Sequence, residues 1–118
     1  MPAMPDQPFQ VAARAGANAN VGIVSVTGPL TVATSPAFQE AARAVASPSL
    51  IVDLSEVPWL DSMAIGALVR VYASCSKAGR RLALVGLNHR VANVLRLTGV
   101  DALFDTYSSI TEAESALA

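Results

Sequence analysis

The stretch "LIVDLSEVPWLDSMAIGALVR", residues 50–70, joins a short apolar run to a loop and then to a longer segment with helical spacing. In the run at 50–54, apolar side chains occupy both sets of alternating positions, which is typical of a central strand in a largely parallel sheet. Such a strand needs a helix over each of its faces. The stretch therefore predicts an α/β layer fold with this strand near its centre.

The segment after the loop predicts a helix over 62–77, ended by Gly79. At about 100° per residue, its polar residues form one narrow stripe and most of its large apolar residues point away from that stripe, toward the sheet. Met63 falls inside the polar stripe, so we expect its side chain to be exposed beside Ser62. The stripe consists of Gly66, Arg70, Ser74 and Lys77, and the sheet-facing set of Ala64, Ile65, Leu68, Val71, Tyr72 and Cys75.

Asp61 and Ser62, which begin this helix, allow two interpretations. Asp and Ser are preferred N-cap residues, because their oxygens accept hydrogen bonds from free amides of the first turn, and an Asp there also complements the helix dipole. The same amides and dipole favour a phosphate group on a hydroxyl at this position, which suits a switch. The residue types alone favour the plain cap.

On the N-terminal side, the pattern predicts a β-hairpin and a helix. Alternating apolar residues at 9–13 indicate a first strand, and "VGIVSVTG" at 21–28 indicates a second. The "AGANAN" segment between them supplies Gly and Asn residues that tolerate positive φ. Ser35 followed by Pro36 then predicts the start of a helix that Pro48 must end.

On the C-terminal side, "RLALVG" at 81–86 predicts another buried strand, followed by a helix over 89–98 with Asn88 as its cap. "LFDTY" at 103–107 predicts a weak last strand. Thr111 and Glu114 have the spacing of a capping box, which places the start of the closing helix at Thr111. The order ββαβαβαβα favours an α/β fold with right-handed crossovers.

The overall composition limits the classes of function. The chain has 118 residues, a net charge of −1 and one cysteine. The charge removes the usual signature of a nucleic-acid or anionic-membrane binder, and one cysteine cannot form an internal disulfide. The start lacks the features of a signal peptide, and no apolar run is long enough to insert in a membrane. We expect a cytoplasmic protein with a flexible tail at 1–8 and a single domain at 9–118.

The segment from "LIVDL" through "LDSMAIG" to "RLALVG" resembles the central part of STAS domains, the family of bacterial anti-sigma factor antagonists. The upstream "VSVTGPL" and the downstream "VANVLRLTGVDALFDTYSSITEAESAL" are also similar to that family, so the resemblance covers about residues 21–117. It implies a mixed, mostly parallel sheet of four or five strands packed by about four helices. It also implies a non-enzymatic protein that acts in transcription regulation through protein–protein interaction.

In that family, the serine after the aspartate is phosphorylated by an anti-sigma factor that is also a serine kinase. The resemblance therefore implies that Ser62 is the phosphorylation site. The unphosphorylated form would bind the kinase and release a sigma factor, and a phosphatase would be a further partner. No cofactor is expected. The predicted partner-binding residues are Asp61, Ser62, Met63 and Gly66 together with Gly28, Pro29, Leu30 and Thr31 of the upstream turn.

The sequence departs from the family pattern at two positions. Ala64 stands where family members usually have glycine, and a helix accepts alanine better than glycine. Thr31 stands where an aspartate is common. Because that turn forms part of the partner-binding face in the family, we expect Thr31 to affect which kinase is recognised and whether Ser62 is phosphorylated.

Other classes of function have less support. A hydrolase would use Ser62 as nucleophile and His89 as base, but the chain lacks the G-x-S-x-G elbow. One Cys and one His do not make a metal site, and no standard nucleotide-binding loop is present. Arg80 and Arg81 are interpreted as a solvated start of a strand rather than as a phosphate site. A closer alternative keeps the STAS fold but assigns the chain to a lipid-transport or stress-sensing complex, as a subunit or scaffold without sigma-factor control.

Overall fold

Five strands form a single mixed sheet in which the spatial order of the strands is the order of the chain. The computed structural model describes residues 8–117, so the predicted tail lies almost entirely outside the described residues. The strands are β1 (Gln10–Ala15), β2 (Val21–Thr27), β3 (Ser49–Glu56), β4 (Arg81–Val85) and β5 (Asp105–Tyr107). β1 is antiparallel to β2, and every other neighbouring pair is parallel.

The helices follow the strands as the alternation predicts. They are α1 (Ser35–Ala44), α2 (Ser62–Lys77), α3 (His89–Leu97) and α4 (Ile110–Leu117), with a 3₁₀ turn at Asp101–Leu103. The predicted α/β fold, with a mostly parallel five-stranded sheet and four helices, is therefore confirmed.

The central strand β3 buries apolar side chains on both faces, as predicted from its composition. Leu50, Val52 and Leu54 pack with residues of α1, α2 and α3, whereas Ile51 packs on the opposite face with Ala113 of α4. Successive side chains of a strand point to opposite faces, so one run of apolar residues supplies both halves of the core. Three helices thus cover one face of the sheet and α4 covers the other.

The predicted last strand is shorter than expected. The pattern predicts it over 103–107, but Leu103 belongs to the 3₁₀ turn and Phe104 is the buried residue that follows it. The ring of Phe104 packs edge-to-face on Tyr72 of α2, with 5.8 Å between ring centroids. Phe104 therefore anchors the connection into the core, and only Asp105–Tyr107 pair with β4.

The prediction that Thr111 and Glu114 form the capping box of α4 is wrong. The cap is formed by Ser109, whose Oγ accepts a hydrogen bond from the amide of Glu112 at 3.1 Å, while the Glu112 carboxylate accepts one from the amide of Ser108 at 2.9 Å. Thr111 lies inside the helix. Glu114 reaches the β1–β2 hairpin, where it accepts hydrogen bonds from the amides of Ala17 and Asn18 at 3.2 and 3.0 Å.

Candidate functional site

The loop between β3 and α2 is held against the turn that follows β2. Leu30 and Leu60 form an isolated parallel bridge, in which the amide of Leu30 donates to the carbonyl of Trp59 and the amide of Asp61 donates to the carbonyl of Leu30, both at 3.2 Å. Both leucine side chains are buried. This bridge extends the β2–β3 pairing beyond the strands and brings the two loops to the N-terminus of α2.

Asp61 is the N-cap of α2 and also connects the two loops. Its Oδ1 accepts a hydrogen bond from the amide of Ala64 at 2.9 Å, and its Oδ2 accepts one from the amide of Val32 at 3.0 Å. The capping interpretation is therefore correct for Asp61. Each carboxylate oxygen has a backbone partner, so Asp61 has a fixed position beside Ser62.

Ser62 is the first residue of α2, and its side chain is exposed. The amides of the first helical turn have no acceptor within the helix. Among them, the amide of Ala64 is the one that donates to the Asp61 carboxylate. A group attached to the Ser62 hydroxyl would therefore lie near free amides and the positive end of the helix dipole. These are the local conditions that favour phosphate at this position.

Three exposed apolar side chains lie on the two loops and the helix start that meet at Ser62. Met63 is 52% exposed, which confirms the prediction from its angle on the helix. Trp59 is 38% exposed, and Val32, held next to Asp61, is 59% exposed. We call Val32, Trp59, Ser62 and Met63 the Ser62 surface. Exposed apolar residues that form a patch with polar neighbours are typical of protein–protein contact sites.

Two residues predicted to bind a partner are not accessible. Leu30 is fully buried, because its bridge to Leu60 turns its side chain into the core. Gly28 is also buried; its amide donates to the carbonyl of Glu56, and its φ of 93° makes a turn that favours glycine. Both residues shape the turn rather than the exposed face. Val32, which the sequence analysis did not select, takes the exposed position.

Pro29 and Thr31 are partly exposed and lie in the turn that carries Val32. The hydroxyl of Thr31 accepts a hydrogen bond from the amide of Ala33 at 3.2 Å, and the carbonyl of Thr31 accepts one from the Oγ of Ser35 at 2.6 Å. The Thr31 amide donates to the Oγ1 of Thr34 at 2.8 Å. Thr31 thus organises this turn through local bonds without a carboxylate.

Gly66 lies one turn after Ser62 and is half-buried beneath the side chain of Arg70. A Cβ at position 66 would come within 3.3 Å of the Nη1 of Arg70. The Nε of Arg70 donates to the Oε1 of Gln39 on α1 at 3.1 Å. Glycine at position 66 therefore lets Arg70 lie close along the helix and reach α1.

The residues of the alternative catalytic interpretation lie on different elements. His89 begins α3 and lines an open cleft with Arg96, Asp101 and Phe104, and Ser62 does not line that cleft. Within the part of the chain that the structure describes, no three His, Cys, Asp or Glu residues are grouped as a metal site would need.

Burial raises the pKa of the Cys75 thiol, and the nearby Arg80 guanidinium acts in the opposite direction with a smaller effect.

Among residues 8–117, none of the helices has both the length and the apolar content needed to cross a membrane.

Two Thermotoga proteins are among those similar in sequence to this chain. The chain is 40% identical over 60 residues to a candidate anti-sigma factor antagonist of Thermotoga maritima and 38% identical over 64 residues to a homologous protein of Thermotoga neapolitana. These matches cover 51% and 54% of this chain and 53% and 57% of the two relatives, so the chain spans little more than half of their length.

The crystal structure of an anti-sigma factor antagonist from Mycobacterium paratuberculosis superposes with a TM-score of 0.82 at 28% identity, covering 92% of this chain and 93% of that one. The family model described as the STAS domain matches residues 12–113, which contain all the strands from β2 to β5 and the whole Ser62 surface. On this match and the five-stranded mixed sheet, the chain belongs to the STAS domain family.

Proposed function

We propose that this protein is a cytoplasmic anti-sigma factor antagonist that binds an anti-sigma factor with serine kinase activity and is switched off by phosphorylation of Ser62. The observation that carries the proposal is the exposed Ser62 hydroxyl among Val32, Trp59 and Met63 at the N-terminus of α2. The names of the similar Thermotoga and Mycobacterium proteins support the same class of function.

The apolar residues supply the binding energy in this proposal. Burying exposed apolar area against a complementary face contributes roughly 25 cal/mol per Å² before the costs of association. Trp and Met are among the residues enriched at protein contact sites. Burying the neutral hydroxyl of Ser62 costs far less than burying a charged group, provided that the partner supplies a hydrogen bond.

A phosphate on Ser62 would reverse this balance. It adds about 1.5 to 2 negative charges at neutral pH, beside the Asp61 carboxylate and in the middle of the apolar residues. A partner face that fits the neutral surface would then have to desolvate these charges without a counter-charge. The first-turn amides meanwhile stabilise the phosphate on the free protein, so phosphorylation favours the unbound form.

The proposal is tested by capture from a lysate of the source cells with Ser62→Ala and Ser62→Asp variants. Ser62→Ala should retain an anti-sigma factor with a kinase domain, and purified kinase with ATP should phosphorylate wild-type protein at Ser62, as read by mass spectrometry. Ser62→Asp should bind that kinase at least tenfold more weakly than wild type, a change of about 1.4 kcal/mol.

Ser115→Asp is the matched control, because it adds the same charge at an exposed position on α4. It should bind the kinase as wild type does. If Ser62→Asp and Ser62→Ala both bind like wild type, the phosphorylation switch is wrong. Recovery of subunits of a lipid-transport or stress-sensing assembly, with no kinase, would instead assign the protein to such a complex.

A further inference from the structure

A second polar site lies between α1 and α2, toward the C-terminal ends of both helices. It is a cleft of about 200 Å³ lined by Arg43 of α1, Arg70 and Ser74 of α2, and Arg80 from the turn before β4, with Gln39 at its side. Ser74 is twelve residues along α2 from Ser62, which corresponds to about 18 Å at 1.5 Å per residue. The cleft is therefore separate from the Ser62 surface.

Arg80 is held rigidly in this cleft. Its Nε donates to the carbonyl of Ser47 at 2.8 Å, and its backbone amide donates to the carbonyl of Cys75 at the same distance. Its Nη2 is buried and has no hydrogen-bond acceptor among residues 8–117. A buried charged donor without an acceptor is costly. The interpretation of Arg80 as a solvated residue is thus wrong, because its side chain turns back toward α1; Arg81 is exposed, as expected.

The other two guanidinium groups add to the positive charge. Arg70 donates its Nε to Gln39 and folds its guanidinium back over Gly66, so it adds positive charge to the wall of the cleft, and Arg43 is exposed in the last turn of α1. No carboxylate is among the described residues that line the cleft. Guanidinium groups present planar sets of donors that match the oxygens of a phosphate, and Ser74 adds a hydroxyl.

From this geometry, we propose that the cleft between α1 and α2 binds the phosphate group of a small molecule, with Arg80 as the anchoring residue. The guanidinium group of Arg80 would donate to a phosphate oxygen, and Arg43 and Arg70 would add positive charge to the wall of the cleft. Pockets for drug-sized ligands run from about 300 to 1,000 Å³, so a cleft of about 200 Å³ suits a phosphate group with a small substituent.

The test is a titration of the full-length, ¹⁵N-labelled protein with inorganic phosphate and, separately, with glycerol 3-phosphate, followed by NMR at constant ionic strength. We expect saturable shifts of the Arg43, Ser74 and Arg80 amides and of the Arg80 Nε–H signal. Tighter binding of glycerol 3-phosphate would identify a phosphate monoester as the ligand, and tighter binding of inorganic phosphate would identify the free ion.

Two variants and one control make the test specific. Arg80→Gln and Arg43→Gln should each weaken binding about tenfold or more, and Arg43→Gln should leave the fold intact because Arg43 is exposed. Arg90→Gln removes the same charge from an exposed position on α3 and should keep the affinity within about twofold. Shifts that do not saturate, or that chloride reproduces at the same ionic strength, would overturn the proposal, as would Arg43→Gln and Arg80→Gln proteins that bind like wild type.

Discussion

The carboxylate of Asp61 accepts a hydrogen bond from the backbone amide of Val32, 29 residues earlier in the sequence, at 3.0 Å. Because its other oxygen caps α2, one side chain fixes the turn after β2 relative to the start of the helix. Val32 is exposed on one side of this link, and Ser62 and Met63 are exposed on the other. The shape of the Ser62 surface therefore depends on Asp61.

Asp61→Ala should lower the free energy of unfolding by about 2 to 3 kcal/mol, because it removes a helix cap and a charge-assisted hydrogen bond. Asp61→Asn keeps one carbonyl oxygen as an acceptor, so it should cost about half as much. Urea unfolding measures both. Asp105→Ala, at an exposed position on β5, is the control and should change stability by less than about 0.5 kcal/mol. Equal stability of Asp61→Ala and wild type would show that neither bond contributes.

Met63→Asp should leave the stability of the domain nearly unchanged and abolish binding of the kinase partner. Met63 is exposed, and an acidic residue in the first turn of a helix complements the dipole. Thermal unfolding and a binding titration separate the two effects. Leu97→Asp is the matched control: Leu97 is 74% exposed on α3, outside the Ser62 surface, and its variant should bind normally. A large drop in the melting temperature of Met63→Asp would contradict the exposed position.

Ala64→Gly should destabilise the protein by about 1 to 2 kcal/mol, although glycine is the common residue of the family at this position. Ala64 is fully buried, so the change removes a packed methyl group and also lowers helix propensity by about 1 kcal/mol. Ala73→Gly, at an exposed position in the same helix, should show the propensity cost alone. Chemical denaturation of the pair gives the packing contribution as the difference, and no difference would mean that the methyl group adds nothing.

Cys75 should make stability depend on pH in the alkaline range. Burial raises the pKa of its thiol, so the folded state holds the proton more tightly than the unfolded state does. This stabilisation is complete below the unfolded pKa of about 8.5 and is lost as the pH rises toward the folded value. Between pH 8 and 10, wild type should therefore lose more stability than Cys75→Ala in urea unfolding. Parallel losses in the two proteins would contradict the raised pKa.

The periodic and local features of this fold could be predicted from the sequence. The exposure of Met63 follows from its angle on α2, and Asn88 caps α3 as expected by accepting the amide of Val91 at 2.8 Å. These features depend on residues within one or two helical turns of each other. At that range, the residue pattern and the residue types are sufficient to predict helix caps and exposed positions.

Features that depend on distant residues could not be predicted. The burial of Leu30 follows from its bridge to Leu60, and the position of Val32 follows from its bond to Asp61. Glu114 has the spacing of a capping residue in sequence, yet it binds the hairpin 96 and 97 residues away. In each case a tertiary contact overrides a local preference, and the spacing of residues contains no signal for it.

The agreement between strand order and chain order has a consequence for how this protein is made. Each strand pairs with the strand that precedes it in the chain, and the connections between paired strands contain at most one α-helix. The entropy lost on closing such short connections is small, and growth of the sheet needs no later strand to insert between earlier ones. A chain leaving the ribosome can therefore extend the sheet one strand at a time, from the edge at β1 to the edge at β5.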